Sequence, residues 1–333
     1  MKVLVIGGTR FVGLRIVRVL AEQGHNITLL NRGKTKADLP SGVKRLTVDR
    51  RNPDEVGQVL ESQDFEVVYD ITGYQIKNLE PLVAALCGRI NHYIFQSTCA
   101  VYAPSELLPI RENFPTVTEV TAPAGEETYA LEKLQCEQFL LRMFEEKGFP
   151  VTIFRSPVIY GPENWMDERE GSYFVRLLQG RRILVPGNGA TVLHFVHADD
   201  VARAYLVASG QKRALGKIFN IASDEAITID GYIDTISETM NVKVSKVYVE
   251  PQVVCNLKRL IFFFPWERSS FYDISRARDD IGYRPLFNME EGMRHTYEWW
   301  LRSRGVHGTR FIPGKMGYDV DLAYEDDVLA RYG

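Results

Sequence analysis

Short runs rich in Val, Ile and Leu alternate along the first half of the chain with longer stretches whose apolar residues recur every three or four positions. The runs predict strands over Lys2 to Ile6, Asn26 to Leu30, Val43 to Val48, Glu66 to Asp70, Tyr93 to Ser97 and Val151 to Arg155. The stretches between them predict helices near Phe11 to Glu22, Pro53 to Glu61, Lys77 to Leu86 and Glu127 to Glu146. Strand and helix in alternation imply a parallel sheet covered by helices on both faces. Such an α/β, doubly wound sheet of Rossmann type collects ligands beyond the carboxyl ends of its strands, so the loops there are the expected site.

After Arg155 the pattern loosens into loops rich in Gly, Pro and aromatic residues, with helices expected near Tyr173 to Gln179, Ala198 to Ala208, Thr228 to Met240 and Met289 to Arg302. A chain of 333 residues exceeds the size at which one core usually stops growing. The expectation is a dinucleotide-binding domain over 1–155 and a smaller C-terminal α/β substrate lobe over 156–333, some of whose segments return to the main sheet. The tail from Gly305 to Gly333 shows no clear period. The apolar cluster Leu260 to Trp266 (LIFFFPW) is too short to span a bilayer, is broken by Pro265, and reads as core or pocket wall.

Composition changes this picture little. A hydrophobic content of 45% and a charged content of 25% are ordinary for a globular protein. A net charge of -3 gives no global attraction to a polyanion, so nucleic acid is not the expected partner. Cys87, Cys99, Cys136 and Cys255 lie far apart without a CxxC pair, which suggests neither a zinc site nor a disulfide framework. The start MKVLVIGG runs straight into a strand with no signal-peptide pattern, and reduced thiols fit a cytoplasmic protein.

Candidate chemistry begins in VLVIGGTRFVG, where Gly7, Gly8 and Gly13 lie between a buried strand and an amphipathic helix, with Thr9, Arg10, Phe11 and Val12 completing the turn. Small residues there let the backbone approach a pyrophosphate whose charge the helix N-terminus stabilises; a tight turn alone could also need them. The second strand ends at Asn31 and Arg32, where an NAD-selective domain presents a carboxylate to the ribose 2'-hydroxyl. Arg10 and Arg32 could instead converge on a 2'-phosphate, which favours NADP(H) over NAD(H), or both are solvated surface arginines. Asp49, ending the third strand, either lies near the adenine or caps the helix from Pro53. Thr72, in the loop after the fourth strand, joins the expected cofactor contacts.

A set of three residues carries the strongest signal. Thr98 follows the fifth strand in YIFQSTCAVY, and Tyr129 and Lys133 in TYALEKLQCE are spaced i, i+4 on one helical face. A phenol is a poor base at neutral pH, but an adjacent ammonium stabilises its phenolate. YxxxK by itself could be a packed aromatic beside a solvated lysine; its order after the glycine loop and STCAVY makes it informative.

Taken together these residues resemble the extended short-chain dehydrogenase/reductases, the family of nucleotide-sugar epimerases and dehydratases. The resemblance extends through RSPVIYGP, PGNGATVLHFVHADDVA, IFNIASDEAITI and DISRARDDIGYRP. Within it the chain is most similar to the chloroplast stem-loop-binding, RNA-associated branch and its bacterial relatives, through GGTRFVG, LLNRGKT, VVYDITGY and AYEDDVL. The resemblance implies that Thr98, Tyr129 and Lys133 are catalytic, that Lys133 also contacts the nicotinamide ribose, and that the protein is a homodimer through the Tyr129 helix and its neighbour. Because YxxxK is intact, redox chemistry is a better inference than RNA binding.

Departures from the family pattern narrow the expected reaction. Arg10 stands where the middle glycine is usual. Cys99 and Ala100 stand where dehydratases carry an Asp-Glu pair, which disfavours elimination of water and makes Cys99 a candidate substrate contact. The family's sugar-nucleotide asparagine corresponds to Val158 and a diphosphate-binding arginine to Leu193, so Arg268 in PWERSS is a candidate replacement charge, or an ordinary surface residue. His194 and His197 in LHFVHADD superficially suggest metal ligands, but the aspartates after them read as a helix start and no metal is assigned. Glu126 and Glu127 either touch substrate or favour the helix dipole. The leading expectation is an NAD(P)-dependent epimerase of a sugar or nucleotide sugar, the alternatives being an NADP-dependent reductase or dehydrogenase of a nucleoside or sugar phosphate and an RNA-binding or scaffold protein.

Overall fold

The computed structural model describes residues 1–119, 121, 127–164, 169–250, 252–253, 257, 268–304 and 322–332. The chain divides into two compact units, Met1–Ile159 with Val196–Ala222 and Tyr272–Leu286, and Tyr160–Phe195 with Ser223–Phe271 and Phe287–Gly333.

The first unit is built on β1 (Lys2–Ile6), β2 (Asn26–Asn31), β3 (Lys44–Thr47), β4 (Val67–Asp70), β5 (His92–Thr98), β6 (Val151–Ser156) and the strand Lys217–Asn220. They form one seven-stranded sheet ordered Lys217–Asn220, β6, β5, β4, β1, β2, β3, with parallel pairing throughout. Side chains alternate across it. Val3 and Val5 pack with Ile16, Val17 and Leu20 of α1 (Phe11–Glu22). Leu4 and Ile6 pack on the other face with Val56 and Leu60 of α2 (Pro53–Glu61), Leu82 and Leu86 of α3 (Glu80–Leu86), and Phe139 and Leu140 of α4 (Glu127–Lys147). Burial on both faces is why these strands read as nearly unbroken apolar runs.

Strand order reverses at β1, with β2 and β3 on one side and β4, β5 and β6 on the other. The carboxyl end of β1, where Ile6 pairs with Leu30 and Asp70, is therefore the switch point at which such sheets bind ligands. The helix expected over Lys77 to Leu86 is instead a 3-10 turn at Ile76–Asn78 followed by α3. Pro81 sits in the first turn of α3, where its missing N–H is harmless, and a helix running through it from Lys77 would lose a bond. Helix Ala198–Ala208 packs on α1, joined by Arg15 Nη2 donating to Asp199 Oδ2 at 2.7 Å.

The second unit pairs Ile183–Pro186 with Lys246–Val249 in parallel, and Val192, Leu193 and His194 antiparallel with Thr228, Ile227 and Ala226. Its core is aromatic, with the Tyr232 ring 4.9 Å from Phe195 and 5.7 Å from Tyr173. Helix Leu322–Tyr332 lies in the tail that shows no period in sequence; its Glu325 is buried and paired with Arg176 at 2.8 Å. The cluster Leu260 to Trp266, residues 305–321, Cys255 and Glu126 lie outside the described residues. Among the described residues no helix is long and apolar enough to cross a membrane.

Candidate active site

At the switch point β1 turns into α1 through the glycine loop. Gly8 has φ of +78°, a left-handed conformation that favours glycine, and a Cβ there would lie 2.7 Å from Leu29 Cδ2. A Cβ on Gly13 would lie 2.6 Å from the Gly8 nitrogen, so the helix can approach the loop this closely only with glycine at that place. Arg10 is the N-cap of α1, and an arginine side chain has no acceptor with which to cap its amides. The first amides of α1 and the positive end of its dipole thus meet the loop, an arrangement fitted to a pyrophosphate.

Thr72 abuts this loop, its Cγ2 lying 3.1 Å from where a Gly7 Cβ would stand, and its hydroxyl donates to the Ile6 carbonyl at 3.3 Å. Behind it is a network that sequence reasoning missed. The fully buried Asp70 receives Arg50 Nη1 and Nη2 and the Tyr93 hydroxyl, each at 2.6 Å, and the Thr72 amide at 3.1 Å. Burial works against its charge, but the guanidinium and the phenol hold the carboxyl below its usual range. An aspartate closing the apolar run VVYD was the available signal, whereas Arg50 in DRRNPD reads as a surface residue.

On α4, Ala130 and Leu134 pack against Val101 and Val117, while Tyr129 remains 40% exposed with its ring 6.3 Å from that of Tyr74. Lys133, one turn on, is 2% exposed. Its Nζ donates to the Gly73 and Gln96 carbonyls, both at 2.7 Å, and lies 4.6 Å from the Tyr74 ring centroid and 4.8 Å from that of Phe95. Burial pushes this lysine down to about 8, against the pull of the Asp70 carboxylate. Another turn on, Glu137 takes Arg155 Nη2 at 2.5 Å and the Ser97 hydroxyl, pinning α4 to β5 and β6. Thr98 lies two residues beyond Gln96, its Oγ1 accepting from the Ala100 amide at 3.2 Å and keeping its own proton to donate. The strand end that holds the lysine therefore also carries the threonine.

The remaining expectations divide. Asn31 Oδ1 accepts from the Gly33 amide at 2.9 Å, and Arg32 is exposed beside it. Asp49 does not cap α2; Asn52 does, accepting from the Glu55 amide at 3.5 Å. Asp49 instead receives Arg51 Nη2 at 2.6 Å, which with the smaller pull of Arg32 holds it down at about 2. Cys99, expected to touch substrate, is 3% exposed and packed with Tyr102 and Ile110, its thiol pushed up by burial. The strand that ends in Thr98 turns directly into a 3-10 turn, and that turn carries the cysteine inward. Arg268 is exposed in the second unit, where Leu193 is buried.

His194 Nε2 donates to the Ser223 carbonyl at 2.9 Å, and burial pushes it down to about 4. His197 caps helix Ala198–Ala208 by accepting from the Asp199 amide at 3.2 Å, a role expected of the aspartates.

Residues 3–222 match the NAD dependent epimerase/dehydratase family. The chloroplast stem-loop binding protein of 41 kDa b from Arabidopsis thaliana is 32% identical over 349 residues, with 99% of this chain and 84% of that protein covered. Among solved structures, UDP-glucose 4-epimerase of Thermotoga maritima with UDP-glucose has a TM-score of 0.74 at 21% identity, covering 91% of this chain and 99% of that one. The dTDP-glucose 4,6-dehydratase of Bacillus anthracis in complex with NAD has a TM-score of 0.76 at 17% identity, covering 92% of this chain and 98% of that one. At such identities these two structures show the fold. Since the matching span runs from the glycine loop through the Tyr129 helix to the returning strand at Lys217–Asn220, the chain belongs to the NAD dependent epimerase/dehydratase family.

Proposed function

We propose that the protein is an NAD(P)-dependent epimerase of a sugar or nucleotide sugar that works through a transient ketone. The observation that carries this reading is the pair on α4, an exposed Tyr129 one turn from a buried, hydrogen-bonded Lys133. A nicotinamide nucleotide bound at the glycine loop supplies the removal and return of a hydride. Tyr129, as phenolate, accepts the proton of the sugar hydroxyl and returns it when the ketone is reduced from its other face. The Lys133 ammonium stabilises that phenolate, and Thr98 donates to the reacting oxygen. Atoms balance, because proton and hydride both return.

Product mass tests the reaction. Given a nucleotide sugar that the protein binds, turnover is expected to yield an isomer of unchanged mass, since Cys99 is buried and Ala100 has no acid or base with which to eliminate water. Loss of water defeats this reading, and a mass gain or loss of two hydrogens turns it into a net reductase or dehydrogenase. One observation favours a second reading, binding of RNA, namely the identity along nearly the whole chain to a protein named for stem-loop binding. Mass spectrometry and absorbance of the material retained on purification separate the two, nicotinamide nucleotide supporting the enzyme and RNA its rival.

Exposed Arg32 makes NADP(H) the proposed cofactor, because a guanidinium forms charge-assisted bonds to a 2'-phosphate. Arg32→Ala is expected to weaken NADPH binding more than NADH binding in titration calorimetry. Equal losses for both, or a wild-type preference for NADH, overturn that assignment.

A further inference from the structure

We propose that the Arg50–Asp70 ion pair is the positioning element of this site, bracing the loop 71–74 so that the Gly73 carbonyl receives Lys133 and keeping a carboxylate within reach of its charge. The inference rests on the reading of Lys133 as the partner of Tyr129.

The bonding pattern argues for a brace. Arg50 grips the carboxylate with both terminal nitrogens and also reaches the Thr72 hydroxyl at 3.3 Å and the Asn78 carbonyl at 3.2 Å, spanning the loop from near its start to beyond its end. Asp70 in turn accepts the Thr72 amide at 3.1 Å. The next residue is pressed against the pair, for a Cβ on Gly73 would lie 2.9 Å from Asp70 Oδ2 and 2.6 Å from Phe95 Cε2. From there one bond of 2.7 Å leads to Lys133. Continuous contact therefore joins the guanidinium to the ammonium.

Energetics point the same way. A buried ion pair is often no more stabilising than well-packed apolar residues, so its presence under this loop is poorly explained by stability alone. What it supplies here is placement and field. Lys133 faces Asp70 from β4, Arg50 from the segment before α2, Cys136 and Glu137 from its own helix, and the rings of Tyr74 and Phe95. After burial, which disfavours the ammonium, the Asp70 carboxylate is the largest influence, and it favours the charge; Arg50 opposes it more weakly.

The test reads Lys133 directly in protein labelled with 13C,15N-lysine, its resonance identified by its loss in Lys133→Met. The double variant Arg50→Met/Asp70→Asn removes both charges together, so neither partner of the ion pair is left buried without the other. Its Lys133 midpoint is expected about one unit below that of the wild type, a tenfold rise in the neutral fraction well below the midpoint. Arg50→Lys keeps the charge but cannot grip in a fork. Its Lys133 midpoint should hold, while exchange of the ammonium hydrogens quickens by about tenfold or more as the Gly73 carbonyl shifts away. Lower melting temperatures with the midpoint and the exchange both as in wild type overturn the proposal, since that is all a structural role predicts. Should the double variant fail to fold, unchanged exchange in Arg50→Lys overturns it and quickened exchange supports it. Because nothing here measures turnover, a responsive Lys133 in a protein whose Tyr129→Phe variant stays active keeps the brace and sinks the reading of Tyr129 as the proton-transfer residue.

Discussion

Tyr129→Phe is expected to lower turnover by about two to four orders of magnitude while leaving the melting temperature and cofactor affinity close to wild type. The change removes one hydroxyl and keeps the ring, and at 40% exposure the side chain gives up little buried area or packing. A packed-aromatic role therefore predicts no loss of activity. Lys133→Met should also impair turnover, but with a different signature. That side chain is 2% exposed and gives two hydrogen bonds to carbonyls, so its removal leaves the Gly73 and Gln96 oxygens unsatisfied and costs stability as well. Comparing the two variants for activity, melting temperature and cofactor affinity separates proton transfer from support. Near wild-type turnover in Tyr129→Phe means that the phenol moves no proton.

The sheet was legible because its strands are buried on both faces, and hydrophobic runs such as VLVI and VVYD announce themselves without long-range information. β1 and α2 fall where the pattern predicts them, since Gly7 and Asn52 mark their ends chemically. Helix Leu322–Tyr332 escaped for the opposite reason. One of its inward positions is Glu325, buried against an arginine 149 residues away, and a charged residue on the buried face erases the apolar period. The site divides in the same manner. Tyr129, Lys133 and the glycines are legible through spacing within one element, whereas Arg50 and Asp70 belong to different segments and gain meaning only when the parallel sheet places the segment after β3 and the end of β4 at its common carboxyl end. Cys99 marks the limit of reading a neighbour as a participant, because one step of a 3-10 turn carries it from the site into the core.

Arg155→Met is expected to produce the largest loss of stability, about 3–5 kcal/mol by chemical denaturation. Glu137 is 1% exposed and accepts three hydrogen bonds from Arg155, with Nη2–Oε2 the shortest at 2.5 Å, and one from the Ser97 hydroxyl. Removing the guanidinium leaves a buried carboxylate held by a single neutral donor, and methionine cannot replace the stack of Arg155 on the Tyr102 ring at 4.6 Å. Against a total stability of about 5–15 kcal/mol, a loss of this size is a large share. The double variant Arg155→Met/Glu137→Leu should recover most of it, because two apolar side chains need no partner where one lone charge does. Turnover then separates two roles of the pair. Glu137 lies one turn beyond Lys133 on α4, so if the ion pair sets the angle of that helix on β5, the stable double variant stays slow. If the pair only holds the fold together, activity returns along with stability, and the position of Lys133 depends on β4 and β5 rather than on the far end of its own helix.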